Sequence, residues 1–317
     1  MSRGRVVVLS GGVGGAKLAL GLSRVLEDEE LLVVVNTADD FHHLGLPISP
    51  DIDTLVYTLA DLADRERGWG RQDESWNFMK ALTALGGEDW FNLGDGDLAM
   101  HVHRRQRLVA GQGLAEVTDE IRHRLGISAR IAPMSDDPVA TIVETLDGPV
   151  SFQDYFVRQQ CKPVATGFRF EGIAQASPNP EFLAALADPA TRTLIIAPSN
   201  PFVSIDPILN LPGVDAALRA FKGAIIAVSP IVGGVAIKGP AAKMMTELGM
   251  PASAAAVARH YGDLLDGFVI DTSDGEHETE IASMGAEVLV TQTVMRDLAD
   301  REALARDCMA FAHRIWR

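Results

Sequence analysis

The stretch VVVLSGGVGGAKLALGLSRVL, Val6 to Leu26, decides the fold class because it joins a strand pattern to a helix pattern through glycines. Val6–Leu9 has the β-branched content of a buried strand, and Ala16–Leu26 has apolar residues at helical spacing. Four glycines lie between them: Gly11, Gly12, Gly14 and Gly15. Glycines permit positive φ and let a ligand approach the backbone, and the helix that follows presents free N–H groups. The stretch therefore predicts a strand–turn–helix unit whose turn either holds a phosphate or only reverses the chain.

The glycine-rich turn matches neither of the common nucleotide motifs. Lys17 adds a positive charge behind the glycines, but no Ser or Thr follows it, so GGVGGAK is not the P-loop pattern GxxxxGK[ST]. It is also a poor match to the GxGxxG of dinucleotide-binding domains. A phosphate site and a purely structural turn both stay open on this stretch alone.

Composition indicates an acidic globular protein. Its 317 residues are enough for one large or two modest domains, and 47% of them are hydrophobic. Lys and Arg total 28 against 43 Asp and Glu, a formal charge of −15, which argues against binding to nucleic acid or an anionic membrane. No apolar run reaches the roughly 18 residues of a membrane span, and the N-terminus has no signal-like apolar core. With only two cysteines, Cys161 and Cys308, the sequence predicts a cytoplasmic protein.

Strand and helix patterns alternate along most of the chain, which is typical of a doubly wound, mainly parallel sheet. The predicted strands are Arg5–Leu9, Leu31–Asn36, Ala129–Ile131, Thr193–Ala197, Ala224–Val228, Gly267–Ile270 and Glu287–Val290. The predicted helices are Leu18–Leu26, Thr54–Ala63, Trp76–Leu85, Leu114–Leu125, Asn179–Ala187, Ser253–Leu264 and Asp297–Arg314. The aromatic-rich segment 149–172 reads as extended and is predicted to be a small β-rich insertion. We therefore expect an α/β fold in a single domain, residues 1–317, that carries this insertion.

Four carboxylates follow the second predicted strand within fifteen residues: Asp39, Asp40, Asp51 and Asp53. Loops beyond the carboxyl ends of parallel strands line the ligand crevice of an open α/β sheet. Asp51 and Asp53 stand at the start of a predicted helix, where capping could explain one of them. Closely spaced carboxylates at a strand end suit Mg²⁺, which takes oxygen ligands and bridges phosphates. We therefore expect a magnesium site here.

Further polar loops occur along the chain, two of them after the predicted strands Thr193–Ala197 and Ala224–Val228. Asp95 and Asp97 lie in LGDGD, which predicts a glycine-supported turn that points carboxylates into a cleft. Ser199, Asn200 and Lys238 lie in loops shaped by proline and glycine. Several such loops at strand ends predict one shared, nucleotide-sized site.

Nine stretches, in order from about Val6 to about Thr293, resemble the 2-phospho-L-lactate transferase family of deazaflavin coenzyme F-420 biosynthesis. They are SGGVGGAK, VVNTADDF, ISPDIDTLVYTL, RGWG, LGDGDLAMH, PMSDDPV, FQDYFV, APSNPFVSIDPIL and SPIVGG…KGPAAK. The resemblance implies a Rossmann-like core and a homodimer. It also implies transfer of a phospholactyl-type group from a guanosine diphospho donor to the deazaflavin riboside Fo, with Mg²⁺ as cofactor and GMP as the released product.

The resemblance implies roles for individual residues as well. It places the guanosine diphosphate against Gly11, Gly12, Gly14, Gly15, Lys17, Ser199, Asn200 and Lys238. It places Asp40 and Asp53 on the metal and the reacting phosphate as the catalytic acids, ahead of Asp39 and Asp51 as metal ligands. Asp53 and Asn92 match the positions that bind Fo.

The sequence departs from its relatives inside the LGDGD motif. Relatives usually have a basic residue where this chain has Gly96, and a Thr where it has Met100. The departure predicts a roomier, less basic pocket that accepts a phosphoglycerate-derived donor at least as well as the phospholactate one. Whether the donor carries lactate, enolpyruvate or glycerate stays open.

Two other functions compete with the transferase. A nucleotide-sugar-binding regulatory protein of the related gluconeogenesis-factor family would share the glycine-rich start and a similar fold. It would lack the complete PDID and LGDGD set of acids, so these motifs favour the enzyme. A dinucleotide oxidoreductase would need GxGxxG and one acid about twenty residues on, whereas four clustered acids suit an ion better than a ribose.

Overall fold

A seven-stranded parallel sheet forms the centre of the computed structural model, which describes residues 4–316. Its strands are β1 Arg5–Ser10, β2 Leu31–Val35, β3 Arg130–Pro133, β4 Thr191–Ile196, β5 Ala224–Val228, β6 Gly267–Asp271 and β7 Glu287–Thr291. Every neighbouring pair in the order β3-β2-β1-β4-β5-β6-β7 is parallel. This order confirms the α/β, Rossmann-like fold, and each strand lies within two residues of its predicted bounds.

The strand order reverses between β1 and β4, since the chain proceeds from β1 toward β2 on one side and later returns to β4 on the other. Such a switch point opens a crevice beyond the carboxyl ends of the two strands. Successive side chains of β1 point to opposite faces of the sheet, and all of them except Arg5 are buried. Val6 and Val8 join one hydrophobic core, and Val7 and Leu9 join the other.

Helices cover both faces of the sheet. They are α1 Gly12–Val25, α2 Pro50–Leu59, α3 Asn77–Ala84, α4 Asp95–Val109, α5 Leu114–Arg124, α6 Pro180–Ala187, α7 Asp206–Leu209, α8 Val214–Ala220, α9 Ala241–Glu247, α10 Ala254–Tyr261, α11 Glu278–Ala282 and α12 Leu298–Ile315. The core on one face includes Leu18 of α1, Ile52 of α2 and Leu304 of α12. The other core includes Phe182 of α6 and Val257 of α10. No helix among residues 4–316 is both long enough and apolar enough to cross a membrane.

A three-stranded antiparallel sheet lies between β3 and β4 in sequence, formed by Ala140–Thr145, Val150–Ser151 and Ala165–Glu171. The predicted segment 149–172 contains two of these strands. The extended conformation predicted between them is wrong for Asp154–Arg158, which forms a short π-helix. Phe152 and Tyr155 are both buried, and a three-residue spacing brings side chains to one side only when the backbone is helical.

Two β-hairpins extend beyond the carboxyl edge of the sheet. Phe41–His43 pairs with Leu46–Ile48, and Ile231–Val232 pairs with Val235–Ala236. Gly233 and Gly234 both have positive φ, which a two-residue hairpin loop requires. Asp274 accepts hydrogen bonds from the Gly233 N–H at 3.0 and 3.1 Å and so ties the second hairpin to the loop after β6.

Candidate functional site

A cavity of about 650 Å³ lies beyond the carboxyl ends of β1 and β4. The residues predicted for the site that line it are Gly11, Gly12, Gly14, Lys17, Asp53, Asn92, Ser199, Asn200 and Lys238. Asp39 and Asp51 line it as well, while Gly15 and Asp40 lie outside its lining. The structure therefore brings together side chains from loops that are almost 230 residues apart in the sequence, at the crevice that the topology creates.

The glycine-rich stretch is the start of a helix rather than a loop. Helix α1 begins at Gly12, six residues before its predicted start. The Gly11 N–H donates to Ser199 Oγ at 3.0 Å, and Ser199 Oγ donates to the Gly11 carbonyl at 2.7 Å. The N–H groups of Val13 and Gly14 belong to the first turn, where a helix offers no internal acceptor, and both residues line the cavity. These two residues therefore lie where their N–H groups could donate to an anion bound in the cavity.

Two of the glycines are also required by packing. A Cβ at Gly14 would overlap the carbonyl oxygen of Pro198, and a Cβ at Gly15 would overlap Ser10 Oγ. Helix α1 thus lies against β1 and the loop after β4 at a distance that only glycine allows. Replacing Gly14 with valine would disturb this packing as well as any ligand contact.

Asp39 and Asp51 form an acidic pair at the cavity wall. The Asn36 side-chain amide donates to Asp39 Oδ2 at 3.1 Å and to Asp51 Oδ2 at 3.0 Å, so it bridges the two carboxylates. Asp51 Oδ1 accepts from the Gly12 N–H at 2.8 Å and so meets the positive end of α1. Burial raises the pKa of Asp51 to about 6, and burial together with the charge of Asp51 raises the pKa of Asp39 well above its ordinary value. At neutral pH this pair would be stabilised by a cation.

Asp40 turns away from this pair. It accepts from Ser49 Oγ at 2.6 Å and lines a second cavity of about 500 Å³. Burial raises the pKa of Asp40 well above its ordinary value. The geometry therefore favours Asp39 and Asp51 over Asp40 as cavity ligands.

The acidic pair fits Mg²⁺ shared with a substrate. Among residues 4–316 no group of three or more His, Cys, Asp or Glu side chains converges as a metal cage. Mg²⁺ usually takes one or two carboxylates and completes its shell with waters and substrate phosphates. Asp39 Oδ1 is buried without a hydrogen-bond partner of normal geometry in the described chain, although the nearby Thr141 hydroxyl acts to lower the pKa of Asp39. Two carboxylates at the wall of the 650 Å³ cavity match that ligand set.

Asp53 is held by a buried arginine. Arg104 donates through Nη2 to Asp53 Oδ1 and through Nη1 to Asp53 Oδ2, the latter at 3.3 Å. Only 1% of Arg104 is exposed. Burial alone would lower the pKa of Arg104, but the charge of Asp53 and its hydrogen bonds raise it above the ordinary value. Asp53 is thus a paired carboxylate, unlike Asp39 and Asp51.

Two lysines supply positive charge to the cavity. Lys17 Nζ donates to the Met295 carbonyl at 3.0 Å, and Lys238 Nζ lies against Gly68. Burial lowers the pKa of Lys17, and the charges of Arg301 and Lys238 lower it further. Neither lysine forms an ion pair with a carboxylate in the described chain, so both can meet an anionic ligand.

Aromatic side chains form a third part of the cavity wall: Trp69, Trp90, Phe91, Phe152 and Phe156. Phe152 and Phe156 are stacked with ring centroids 5.5 Å apart, and half of Trp69 is exposed. Asn92 follows Phe91 and also lines the cavity. Trp69 lies in RGWG and Phe152 and Phe156 lie in FQDYFV, whereas Trp90 and Phe91 lie in none of the nine stretches. Flat apolar surfaces of this kind suit a planar ring system.

The expected extra room at Gly96 is absent. Neither Gly96 nor Met100 lines the cavity. A Cβ at Gly96 would lie 2.9 Å from Arg71 Nη1 and 3.0 Å from Glu74 Oε1. Glu74 also accepts from the N–H groups of Gly96 and Asp97, each at 2.7 Å. The space beside Gly96 is filled by this pair, so the prediction of a roomier pocket there is wrong.

Comparison with known proteins decides the family. A family model described as 2-phospho-L-lactate transferase CofD matches residues 6–310. The chain belongs to the CofD family. This confirms the resemblance found in the sequence.

Two relatives of this CofD-family chain match over almost their whole lengths. A phosphoenolpyruvate transferase of Streptomyces coelicolor is 39% identical over 98% of this chain and 99% of its own. A 2-phospho-L-lactate transferase of Methanosarcina mazei is 38% identical over 95% of this chain and 98% of its own. A solved structure from Bacillus halodurans, a member of the UPF0052 family, has a TM-score of 0.62 at 15% identity and covers 98% of this chain and 99% of its own. At that identity the likeness concerns the fold alone.

Proposed function

We propose that this CofD-family protein transfers a phospholactyl-type group from a guanosine diphospho donor to the terminal ribityl hydroxyl of Fo, releasing GMP, in coenzyme F-420 biosynthesis. The observation that supports it is one cavity that combines a helix start, an acidic pair, an aromatic wall and two lysines that have no carboxylate partner among residues 4–316. The phospholactate and phosphoenolpyruvate transferases are about equally similar to this chain. This similarity supports lactate and enolpyruvate as donor acids, and glycerate stays a third candidate from the sequence. We also propose that the active protein is a cytoplasmic homodimer.

The donor diphosphate suits the glycine end of the cavity. The first turn of α1 offers backbone N–H groups, and Lys17 and Lys238 offer ammonium groups that no carboxylate of the described residues pairs with. Asp39 and Asp51 would hold Mg²⁺, which when bound would neutralise charge on the diphosphate. Fo suits the aromatic end, where Asn92 and Asp53 supply polar contacts beside the rings.

The acceptor oxygen bonds to the outer phosphorus of the donor and gives up its proton to a nearby carboxylate and then to solvent. The bond from that phosphorus to the GMP oxygen breaks, and GMP leaves with the electron pair. Phosphoryl transfer passes through a loose transition state, so positioning and charge neutralisation supply most of the catalysis. Fixed dipoles and charges do this without reorganisation during the reaction. The chain contributes the α1 N-terminus and the lysines at the phosphates, and Asp53 as hydrogen-bond acceptor for the incoming hydroxyl.

In the direct test, the pure protein is incubated with Fo, Mg²⁺ and each of the three guanosine diphospho donors. The products are identified by mass spectrometry. We expect GMP together with Fo that has gained a phospho-acid, and competition among the donors will identify the preferred acid. EDTA should stop the reaction. A protein that yields no Fo adduct from any donor is not the proposed transferase.

Nucleotide binding predicts a thermal shift. GDP with Mg²⁺ should raise the melting temperature by several degrees, because a ligand at about a hundred times its Kd stabilises the folded state by about 2.7 kcal/mol. Lys17→Met should reduce the shift, whereas Lys80→Met on the exposed side of α3 should preserve it. NAD should have no effect. A wild type that NAD stabilises and GDP does not would contradict the proposed nucleotide site.

Magnesium binding should depend on pH. A metal ligand must be deprotonated, and Asp51 has a pKa raised to about 6. Below that pH the ion must displace a proton, so the apparent Mg²⁺ affinity should fall as pH drops from 8 to 5. Calorimetric titration at pH 8, 6 and 5 measures it. An affinity that stays constant over this range would show that Asp51 is not a ligand.

A further inference from the structure

A chain of buried polar side chains connects α2 with α4 behind the acceptor end of the cavity. Asp53 and Tyr57 are four residues apart on α2, and Asp97, His101 and Arg104 follow at intervals of four and three on α4. These spacings place each set on one face of its helix. His101 and Arg104 are each 1% exposed, and all members except Arg104 line the main cavity. We call these five side chains the polar ladder.

Each contact along the polar ladder has an identifiable donor and acceptor. Tyr57 Oη donates to Asp97 Oδ1 at 2.5 Å, and His101 Nε2 lies 3.1 Å from the same oxygen. Arg104 Nη1 lies 3.2 Å from His101 Nδ1. A guanidinium can only donate, so Nδ1 must be the acceptor and the ring proton must sit on Nε2, where it faces Asp97. His101 is thus fixed as one tautomer between Asp97 and Arg104.

The acidic groups of the ladder are neutralised in place. Burial would raise the pKa of Asp97, but hydrogen bonds from His101 and Tyr57 hold it below its ordinary value. Burial raises the pKa of Tyr57, which keeps its hydroxyl a donor. Every charged member therefore has a partner of opposite charge or a strong donor. Each side chain of the ladder contacts another member, although the buried Arg104 Nε has no hydrogen-bond partner in the described chain, and these contacts restrict the geometry of each side chain.

We propose that Arg104 and His101 are positioning residues that fix the Asp53 carboxylate in the orientation that receives the acceptor alcohol. The proposal rests on the proposed function, since it takes Asp53 to contact Fo. The Arg104 fork occupies both oxygens of Asp53 from the buried side and sets the plane of the carboxylate. His101 Nδ1 accepts from Arg104 Nη1 and so holds the guanidinium in place. Asp97, which also accepts from Tyr57, holds His101 at Nε2. The remaining lone pairs of Asp53 are left for the cavity.

A purely structural ion pair would be a poor explanation of this arrangement. A buried salt bridge usually adds little stability compared with apolar residues of the same size, while its geometry is specific. Asp53, Tyr57, Asp97 and His101 all border the cavity, where a structural pair would have no reason to lie. Through the polar ladder, α4 therefore fixes the orientation of the Asp53 carboxylate at the acceptor site.

The experiment measures Fo binding and transfer in Arg104→Gln, Arg104→Lys, His101→Asn and the double variant Asp53→Asn/Arg104→Gln. Arg107→Gln is the matched control, because Arg107 lies on the same helix and pairs with Glu120 on the surface side. We expect Arg104→Gln to weaken the Kd for Fo about tenfold or more, because a misoriented Asp53 would lose its hydrogen bond with Fo and a hydrogen bond to a charged group is usually worth that factor. The Kd for GDP with Mg²⁺ should stay within about twofold, and Arg104→Lys should recover part of the loss. His101→Asn should show a smaller loss of the same kind.

Double-variant data separate a positioning role from a folding role. If Arg104 acts through Asp53, adding Arg104→Gln to Asp53→Asn should weaken Fo binding no further. Equal losses in Fo and GDP binding, or additive losses in the double variant, would overturn the proposal. A wild type that binds Fo without transferring anything to it overturns the proposed function alone. A wild type that does not bind Fo overturns both.

Discussion

Asp51→Asn should lower the transfer rate at saturating substrates by about a hundredfold or more while the protein stays folded. Asp51 joins the acidic pair to the start of α1, through its contacts with Asn36 and the Gly12 N–H. An asparagine oxygen can still accept from Gly12, so the helix start is kept, but the charge that would attract Mg²⁺ is lost. Losing one group that stabilises transition-state charge usually costs a factor of 10² to 10³.

Steady-state rates across a range of Mg²⁺ concentrations measure this effect. The variant should need far more Mg²⁺ than the wild type. Asp136→Asn is the matched control, because Asp136 also accepts from the first turn of a helix, at the Ala115 N–H, but lines the second cavity. Asp40→Asn is a second comparison, and it should reduce the transfer rate less than Asp51→Asn does. A variant with wild-type rate and wild-type Mg²⁺ requirement would show that Asp51 holds no metal.

Asp53→Asn should nearly abolish transfer and also reduce the free energy of unfolding by about 3–5 kcal/mol. The substitution leaves the guanidinium of Arg104, which is 1% exposed, without its counter-charge. An uncompensated buried charge costs far more than a lost surface pair. This loss of stability follows from the structure, because nothing in the sequence indicates that Arg104 of α4 is the partner of Asp53.

Urea unfolding of the wild type and Asp53→Asn gives the stability difference. Asp215→Asn is the control, since Asp215 pairs with Arg219 at the surface and should change stability by about 1 kcal/mol or less. Transfer is assayed at a temperature where the folded fraction of Asp53→Asn is complete, so that instability and lost chemistry are separated. If Asp53→Asn is both stable and active, the buried pair and the acceptor role are both refuted.

The central sheet was predictable because its strands are short apolar runs, most of them buried on both faces. Helix α4 was not predicted, and the reason is physical. Its buried positions are His101 and Arg104, so the helix lacks the apolar stripe that marks a helix facing a core. Its first turn contains Asp95 and Asp97, which read as a turn in the sequence although acids at a helix N-terminus are favourable.

The site was predictable as a region and only partly as a set of residues. Strand-end loops and the glycine stretch located the cavity, since topology alone brings them to one edge. Which of the adjacent acids Asp39 and Asp40 faces the cavity depends on the turn after β2, in which the Asp40 N–H donates to the Thr37 carbonyl at 3.1 Å. Sequence spacing carries no information on that choice. The contents of the space beside Gly96 depend on Arg71 and Glu74, which come from a loop about twenty residues earlier.

The carboxylate of Asp51 at the start of α1 has a consequence for the order in which ligands arrive. It places a negative charge at the helix end that would otherwise attract a free anion, and Asp39 lies beside it. If the donor binds there as proposed, a bare nucleotide diphosphate should be repelled at the point where its magnesium complex would be attracted. The kinetic substrate should be the metal–nucleotide complex, with initial velocities that follow its concentration and with excess free nucleotide as a weak competitor.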